Sequence, residues 1–130
     1  VRRNENSKAW RSYVLRRALH LNWSNASQGV KIYDDVKLTQ VWKNGGGIGA
    51  EQLETECNEW LLCHGCSEKN AVSICRTDFK MSLAGGSTGT LYGCGTYLAE
   101  SVTKADEYAK PDEGDICTIM LCRALGGNVH

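Results

Sequence analysis

The spacing of apolar positions changes several times along the chain. From Ser7 to about Leu21 they recur at helical intervals, with Trp10, Val14, Ala18 and Leu21 on one stripe and Arg11 and Arg17 turned away. Asn6 or Ser7 is placed to cap this helix. Asn22 to Gly29 is polar and reads as a loop. Val30 to Trp42 alternates in part through Val36, Leu38 and Trp42, which predicts a strand. Trp60 to His64 is a short apolar run, a buried strand ending at a histidine and broken by Gly65-Cys66-Ser67. Ser67 caps a helix to about Cys75 that turns Ala71, Ile74 and Cys75 inward. Lys80 to Thr90 contains Gly85, Gly86 and Gly89 and reads as a mobile loop. Tyr92 to Leu98 is a tight turn entering a strand. Ser101 to Ala109 is a helix with Val102, Ala105, Tyr108 and Ala109 on one face, and Lys110 to Gly114 is a turn. Ile116 to Leu125 is an apolar strand buried on both faces or nearly so.

Helices and strands alternate irregularly, which predicts an α+β fold rather than a parallel doubly wound sheet. The 130 residues amount to one domain. A chain that stops just past an apolar strand leaves that strand without a neighbour, an aggregation hazard in a finished fold. The pattern therefore predicts a domain incomplete at its C-terminus.

Composition narrows the class. The 42% hydrophobic and 23% charged content is that of an ordinary globular domain, and the longest apolar runs, such as Ile119-Met120-Leu121-Cys122, fall far short of a membrane span. We therefore expect no membrane partner. The N-terminus lacks a signal-peptide core. Basic and acidic residues balance at 15 each, so nucleic acid is not indicated as a partner. The charge is unevenly placed: Arg2, Arg3, Lys8, Arg11, Arg16 and Arg17 face only Glu5 in the first twenty residues, and Glu51, Glu54, Glu56 and Glu59 form an acidic counterweight. Both read as solvated surface. Seven cysteines without a secretory signal suggest reduced thiols in an intracellular protein, with nucleus and cytoplasm not distinguished.

Candidate chemistry gathers in the second half. Asn44-Gly45-Gly46-Gly47-Ile48-Gly49 has neither the Gly-Lys-Ser/Thr ending of a phosphate-binding loop nor dinucleotide spacing, and reads as a connector. His64 ends a buried strand beside Gly65, which permits close backbone approach of a ligand. Tyr97 and Tyr108 present aromatic rings from a strand and the following helix. Such a pair suits a flat, positively charged heteroaromatic group.

These residues fall in an order that resembles the poly(ADP-ribose) polymerase catalytic domain. Leu62-Cys63-His64-Gly65-Cys66 is similar to that family's "L-F-H-G-T/S" strand, preceded by the Asn58-Glu59 pair. Asn70-Ala71-Val72-Ser73-Ile74 resembles the helix after it. Tyr92-Gly93-Cys94-Gly95-Thr96-Tyr97-Leu98-Ala99 resembles the "Y-G-x-G-x-Y-F-A" stretch, and Ser101 to Ala109 the "S-K-S-x-x-Y" helix. Glu5-Asn6 with Trp10-Arg11-Ser12-Tyr13 resembles the opening segment, and Ile119 to Arg123 a core strand.

The resemblance implies an ADP-ribosyltransferase fold of antiparallel or mixed sheets with flanking helices, spanning 1–130 as a partial catalytic domain. It implies transfer of ADP-ribose from NAD+ to a protein acceptor with release of nicotinamide, by mono-transfer or polymerisation. NAD+ is the co-substrate, and no metal is implied. By position, His64 would bond the adenosine ribose, Gly65 would pair its backbone with the carboxamide, Tyr97 would position the nicotinamide ribose, and Tyr108 would stack on the ring. His64 and Tyr97 are then the first two members of the family's His-Tyr-Glu set, and residues Lys80 to Thr90 form the loop over the donor. Such chemistry needs orientation and charge stabilisation more than a strong nucleophile, because nicotinamide is already a good leaving group.

The family's glutamate lies on a strand past Leu125 and has no counterpart here; Glu100 and Glu107 are on the wrong element. Ala105 stands where many members have a carboxamide-bonding Ser, a loss of about 0.5–1.5 kcal/mol. Cys94 stands where polymerising members often have Lys, Cys66 where Ser or Thr is usual, and Lys80-Met81 where many place Arg. A non-catalytic NAD or ADP-ribose binder is the alternative. A more distant one is a zinc or redox protein built on Cys63, Cys66, Cys117 and Cys122, with Cys57, Cys75 and His64 nearby.

Overall fold

The computed structural model describes residues 2–26, 30–47, 52–80, 82 and 93–129. Its centre is an antiparallel strand pair, β1 (Glu59–Cys66) with β2 (Thr118–Leu125), registered so that Glu59 faces Leu125, Leu62 faces Cys122 and Cys66 faces Thr118. Among the described residues four α-helices lie around it, α1 (Ser7–Ala26), α2 (Lys37–Asn44), α3 (Glu68–Thr77) and α4 (Val102–Asp106). The architecture is the expected α+β arrangement, a small antiparallel sheet with flanking helices. No helix among the described residues is long and apolar enough to cross a membrane.

Period-two burial governs β1: Glu59, Leu61, Cys63 and Gly65 are buried, while Trp60, Leu62 and His64 are half-buried. The strand runs through Gly65 and Cys66 rather than breaking there. Gly65 is required by packing. A Cβ on it would stand 1.8 Å from the Ala105 carbonyl oxygen, so α4 can lie against the strand only because that atom is missing. β2 departs from expectation. It is half-buried along most of its length, Leu121 is exposed, and Ile116 lies outside the strand in solvent. A strand paired on one side and covered on one face reaches no deeper burial.

Three helical expectations need correction. α1 continues to Ala26, so Asn22 to Ala26 is helix and not loop. Asn6 caps it, its Oδ1 accepting from the Ala9 N–H at 3.0 Å. Its inward face is the apolar stripe only in part: Val14 and Leu21 are half-buried, but Trp10 and Ala18 are exposed, and Tyr13 and Arg17 turn in instead. Val30 to Trp42 is not a strand; the chain has no regular secondary structure up to Val36 and then forms α2. Leu38, Val41 and Trp42 also fit i, i+3, i+4 spacing, and short apolar runs cannot separate the two periods. α4 is shorter than the predicted Ser101–Ala109 helix. Ser101 caps it by accepting from Lys104 N–H at 3.1 Å, and after Asp106 the backbone tightens into turns. Val102 and Tyr108 are exposed, so Ala105 is the buried residue of that face. Ser67 caps α3 as expected, with Ala71 buried and Ile74 and Cys75 half-buried.

The reason for α1's polar inward face is Glu59. This side chain is fully buried rather than part of a solvated acidic surface. Its Oε1 accepts from the Tyr13 hydroxyl at 2.6 Å, and its Oε2 from the Glu54 N–H at 2.6 Å. Arg123 Nε lies 2.7 Å from Oε1 in an ion pair that approaches too obliquely for a linear hydrogen bond, and Arg17 Nη1 lies 3.5 Å from both oxygens. A carboxylate removed from water is tolerated only when paired and bonded in this way. The guanidiniums also bond out of the cluster to the Gln52 carbonyl. Burial, together with the Glu59 bond, pushes the Tyr13 phenol well above the usual tyrosine range.

Asn58, beside it, holds the entry to β1. It adopts a left-handed backbone at φ 54° and is buried. Its side chain accepts from Tyr33 N–H at 2.8 Å and donates to the Lys31 and Gly127 carbonyls at 2.9 and 2.8 Å. Residues 31, 33 and 127, distant in sequence, thereby meet at one amide.

Candidate functional site

The outer edge of β1, opposite β2, assembles the candidate site. In a strand, every second residue directs its N–H and C=O to the same edge. On this edge Glu59 N–H donates to Glu54 O at 3.2 Å. At Leu61 the buried Thr39 hydroxyl accepts from the N–H at 3.0 Å and donates to the C=O at 3.3 Å. Cys63 and Ala99 exchange two bonds of 2.8 Å. Gly65 comes next on that edge, and its N–H and C=O have no partner among the described residues. One backbone donor and one acceptor thus stand side by side, an arrangement that matches a primary carboxamide.

His64 and Tyr97 are brought into contact. The histidine Nδ1 lies 3.0 Å from the Tyr97 backbone oxygen. A carbonyl can only accept, so Nδ1 carries the proton and the neutral ring keeps its lone pair on Nε2. Phe79, two residues past α3, fixes the ring plane by an edge-on contact with centroids 5.1 Å apart. The ring is therefore oriented from two sides, with Nε2 available as an acceptor. Tyr97 does not lie on a strand. It precedes a single-residue bridge at Ala99, and its hydroxyl donates to the Gly93 carbonyl at 2.6 Å across a turn in which Gly93 has φ +94°. That conformation needs glycine.

Tyr108 stands on the turn after α4, and its N–H donates to the same Ala105 carbonyl that rests on Gly65. Its ring is exposed, with Lys104 Nζ 5.5 Å from the ring centre. Lys104 also pairs with Glu107 at 2.6 Å. Ala105 itself is buried against the strand. The expected loop over the donor, Lys80 to Thr90, is described only at Lys80 and Ser82; its remaining residues lie outside the described ones.

All seven cysteines are free thiols. Burial pushes Cys57 up to about 11 and Cys122 up to about 12, and Cys63 and Cys66 also rise for the same reason. Protonated, buried thiols are poor nucleophiles and poor ligands. Among the described residues no group of three or more His, Cys, Asp or Glu is arranged to hold a metal ion.

Thr39, Phe79, Arg17 and Arg123 act on this edge or its support without having stood out in the sequence. Only a buried Glu59, signalled by the Asn-Glu pair before the strand, hints at the two arginines.

The strand edge, the positioned histidine and the helix laid on Gly65 belong to an α+β domain of the ADP-ribosyltransferase kind. Residues 18–130 match the poly(ADP-ribose) polymerase catalytic domain model, and the chain belongs to that family. It is 27% identical over 114 residues to the poly [ADP-ribose] polymerase tankyrase of Caenorhabditis elegans, covering 85% of this chain and 5% of that protein. It is 33% identical over 84 residues to the protein mono-ADP-ribosyltransferase PARP10 of Mus musculus, covering 60% of this chain and 9% of that one. The chain therefore spans only a small part of the length of these relatives.

Proposed function

We propose that these residues form the NAD+ donor site of an ADP-ribosyltransferase that modifies a protein acceptor and releases nicotinamide. The observation that carries this reading is the β1 edge. Gly65 offers an N–H and a C=O beside His64, whose Nδ1 bond to Tyr97 O leaves Nε2 as an acceptor. In this reading Gly65 pairs with the carboxamide, and His64 Nε2 accepts from a hydroxyl of the adenosine ribose. Tyr97 positions the nicotinamide ribose. Tyr108 stacks on the cationic ring; Lys104, 5.5 Å from the Tyr108 ring centre, is already held by Glu107.

The residues of this chain bind and orient the donor. Held in place, the bond to the cationic leaving group is the weak one, and orientation supplies much of the acceleration. The glutamate that the resemblance calls for has no counterpart within 1–130, so transfer is assigned to the whole protein and donor binding to these residues. Whether one unit or a polymer is transferred is read from the product. Cys94, exposed in the turn that Tyr97 closes, stands where polymerising members often carry Lys, which favours a single unit.

Calorimetric titration with NAD+ tests donor binding, with His64→Ala and Tyr97→Ala each expected to weaken it at least about tenfold. Unchanged affinity in both variants, with the fold intact by circular dichroism, overturns the site. Binding of ADP-ribose but not of NAD+ favours the non-catalytic reading.

A further inference from the structure

α1 has two faces with opposite tasks. The inner one carries Tyr13 and Arg17 to Glu59, and His20 to Gly127, whose missing Cβ leaves room for the imidazole. The outer one exposes Leu15, Leu19 and Trp23 at 68%, 61% and 74%. At about 100° per residue these three, spaced i, i+4, i+8, form one ridge within an arc of about 80°. Exposed Lys8 falls within that arc, and exposed Arg11 and Arg16 flank it on opposite sides. No acidic residue occurs between Glu5 and Asp34. Nothing on the helix itself therefore neutralises these cations.

We propose that the outer face of α1 is a docking surface for an acidic amphipathic helix of a partner protein. The ridge is narrow. Interfacial helices that lie in lipid present a broad apolar face, whereas a single i, i+4 ridge bordered by charges is the seam of a helix–helix contact. The i+4 ridge fits the grooves of a second helix, and Arg11 and Arg16 meet carboxylates along its borders. Because the inner face is anchored through a buried ion-pair cluster, the ridge is presented in a fixed orientation. The ordering cost of binding then falls only on the partner. This inference stands on α1 alone and is independent of the donor site.

The test uses the whole chain and fluorescent 21-residue peptides with leucines at heptad a and d positions and glutamates at e and g. The controls are the same peptides with glutamine for glutamate, and phosphatidylcholine vesicles containing phosphatidylserine. We expect saturable binding to the glutamate peptides, weakened at least about tenfold by Leu15→Glu/Leu19→Glu, since both apolar anchors of the ridge are replaced by charges that the glutamate peptides repel. Arg11→Glu/Arg16→Glu abolishes binding to glutamate peptides and gains it for the lysine equivalents. All four positions are exposed, so the thermal midpoint stays the same. Three results overturn the proposal: vesicle binding without peptide binding, self-association lost in Leu19→Glu without peptide binding, or peptide affinity indifferent to both double variants.

Discussion

His64 Nδ1 lies 3.0 Å from the backbone oxygen of Tyr97, so two residues 33 apart in sequence share one hydrogen bond. The bond fixes the tautomer of the ring and ties the Gly93–Ala99 segment to β1 just beyond the Cys63–Ala99 bridge. It makes the orientation of His64 a property of the fold, set before any ligand arrives.

The two nitrogens of His64 are separable by substitution. His64→Asn keeps an amide donor near Nδ1 and loses the acceptor at Nε2, while His64→Gln does the reverse. Both lose the Phe79 ring contact, about 0.5–1.5 kcal/mol of stability. On the proposed reading, His64→Asn lowers NAD+ affinity about tenfold while keeping the Tyr97 tie, worth about 1 kcal/mol. Urea melts and NAD+ titrations of both variants decide; equal NAD+ affinity in the two, near that of the parent, removes the ribose assignment.

Gly65→Ala places a methyl 1.8 Å from the Ala105 carbonyl. The helix must shift, at a cost of about 1–3 kcal/mol. Denaturant midpoints measure this. NAD+ binding is expected to fall further than the stability loss explains, because Tyr108 moves with the turn after α4. A variant as stable as the parent shows that α4 docks less tightly than the structure has it.

Glu59→Gln leaves two half-buried guanidiniums short of their counter-charge and should cost about 3–5 kcal/mol, a large share of the stability of a domain this size. Tyr13→Phe removes one bond and should cost about 1 kcal/mol. The triple change Glu59→Leu/Arg17→Met/Arg123→Met should recover much of the loss, since no unpaired charge remains. Thermal and urea melts of the series provide the check. A triple variant as unstable as Glu59→Gln alone refutes the desolvation account.

The buried thiols make a prediction about alkaline pH. Folding raises Cys57 to about 11 and Cys122 to about 12 from an ordinary 9.0. Below the ordinary value both states hold the proton and stability is complete. Above it the unfolded chain releases the proton first, and stability falls as pH rises through the folded values, by about 1.4 kcal/mol per pH unit for each thiol. Tyr13, also raised, adds to the fall above about pH 10. Denaturation at stepped pH, with Cys57→Ala/Cys122→Ala as comparison, should show a shallower alkaline decline in the double variant. Identical slopes contradict the burial of these thiols.

Much of the fold was legible locally. Ser67 with Asn70 is a cap whose bond closes within three residues, so sequence alone finds it; Ser101 with Lys104 closes in the same way, but the sequence pattern marks Ser101 only as the start of the helix. The β1 and β2 runs are legible from their apolar content. Lys37 to Asn44 is not, because its short apolar pattern suits either period and only the docking of Thr39 on Leu61 selects the helix. Likewise the inward turn of Arg17 is invisible in a helical wheel. Hydrophobicity places arginine outside, and it takes a buried carboxylate, itself set by β1, to draw it in.

By itself the sequence determined the family, the apolar runs of β1 and β2 and the identities of the four donor-site candidates His64, Gly65, Tyr97 and Tyr108, since these depend on residue types at fixed short spacings. Tertiary structure decided what those residues face. Pairing with β2 consumed one edge of β1, and Thr39 and Ala99 consumed most of the other, leaving the N–H and C=O of buried Gly65 without partners among the described residues. The same packing buried Glu59 and drew Tyr13, Arg17 and Arg123 around it. The physical reason is common to both outcomes: a buried polar group must find a partner, and the partner lies wherever the fold brings one within about 3 Å, at no fixed distance along the chain.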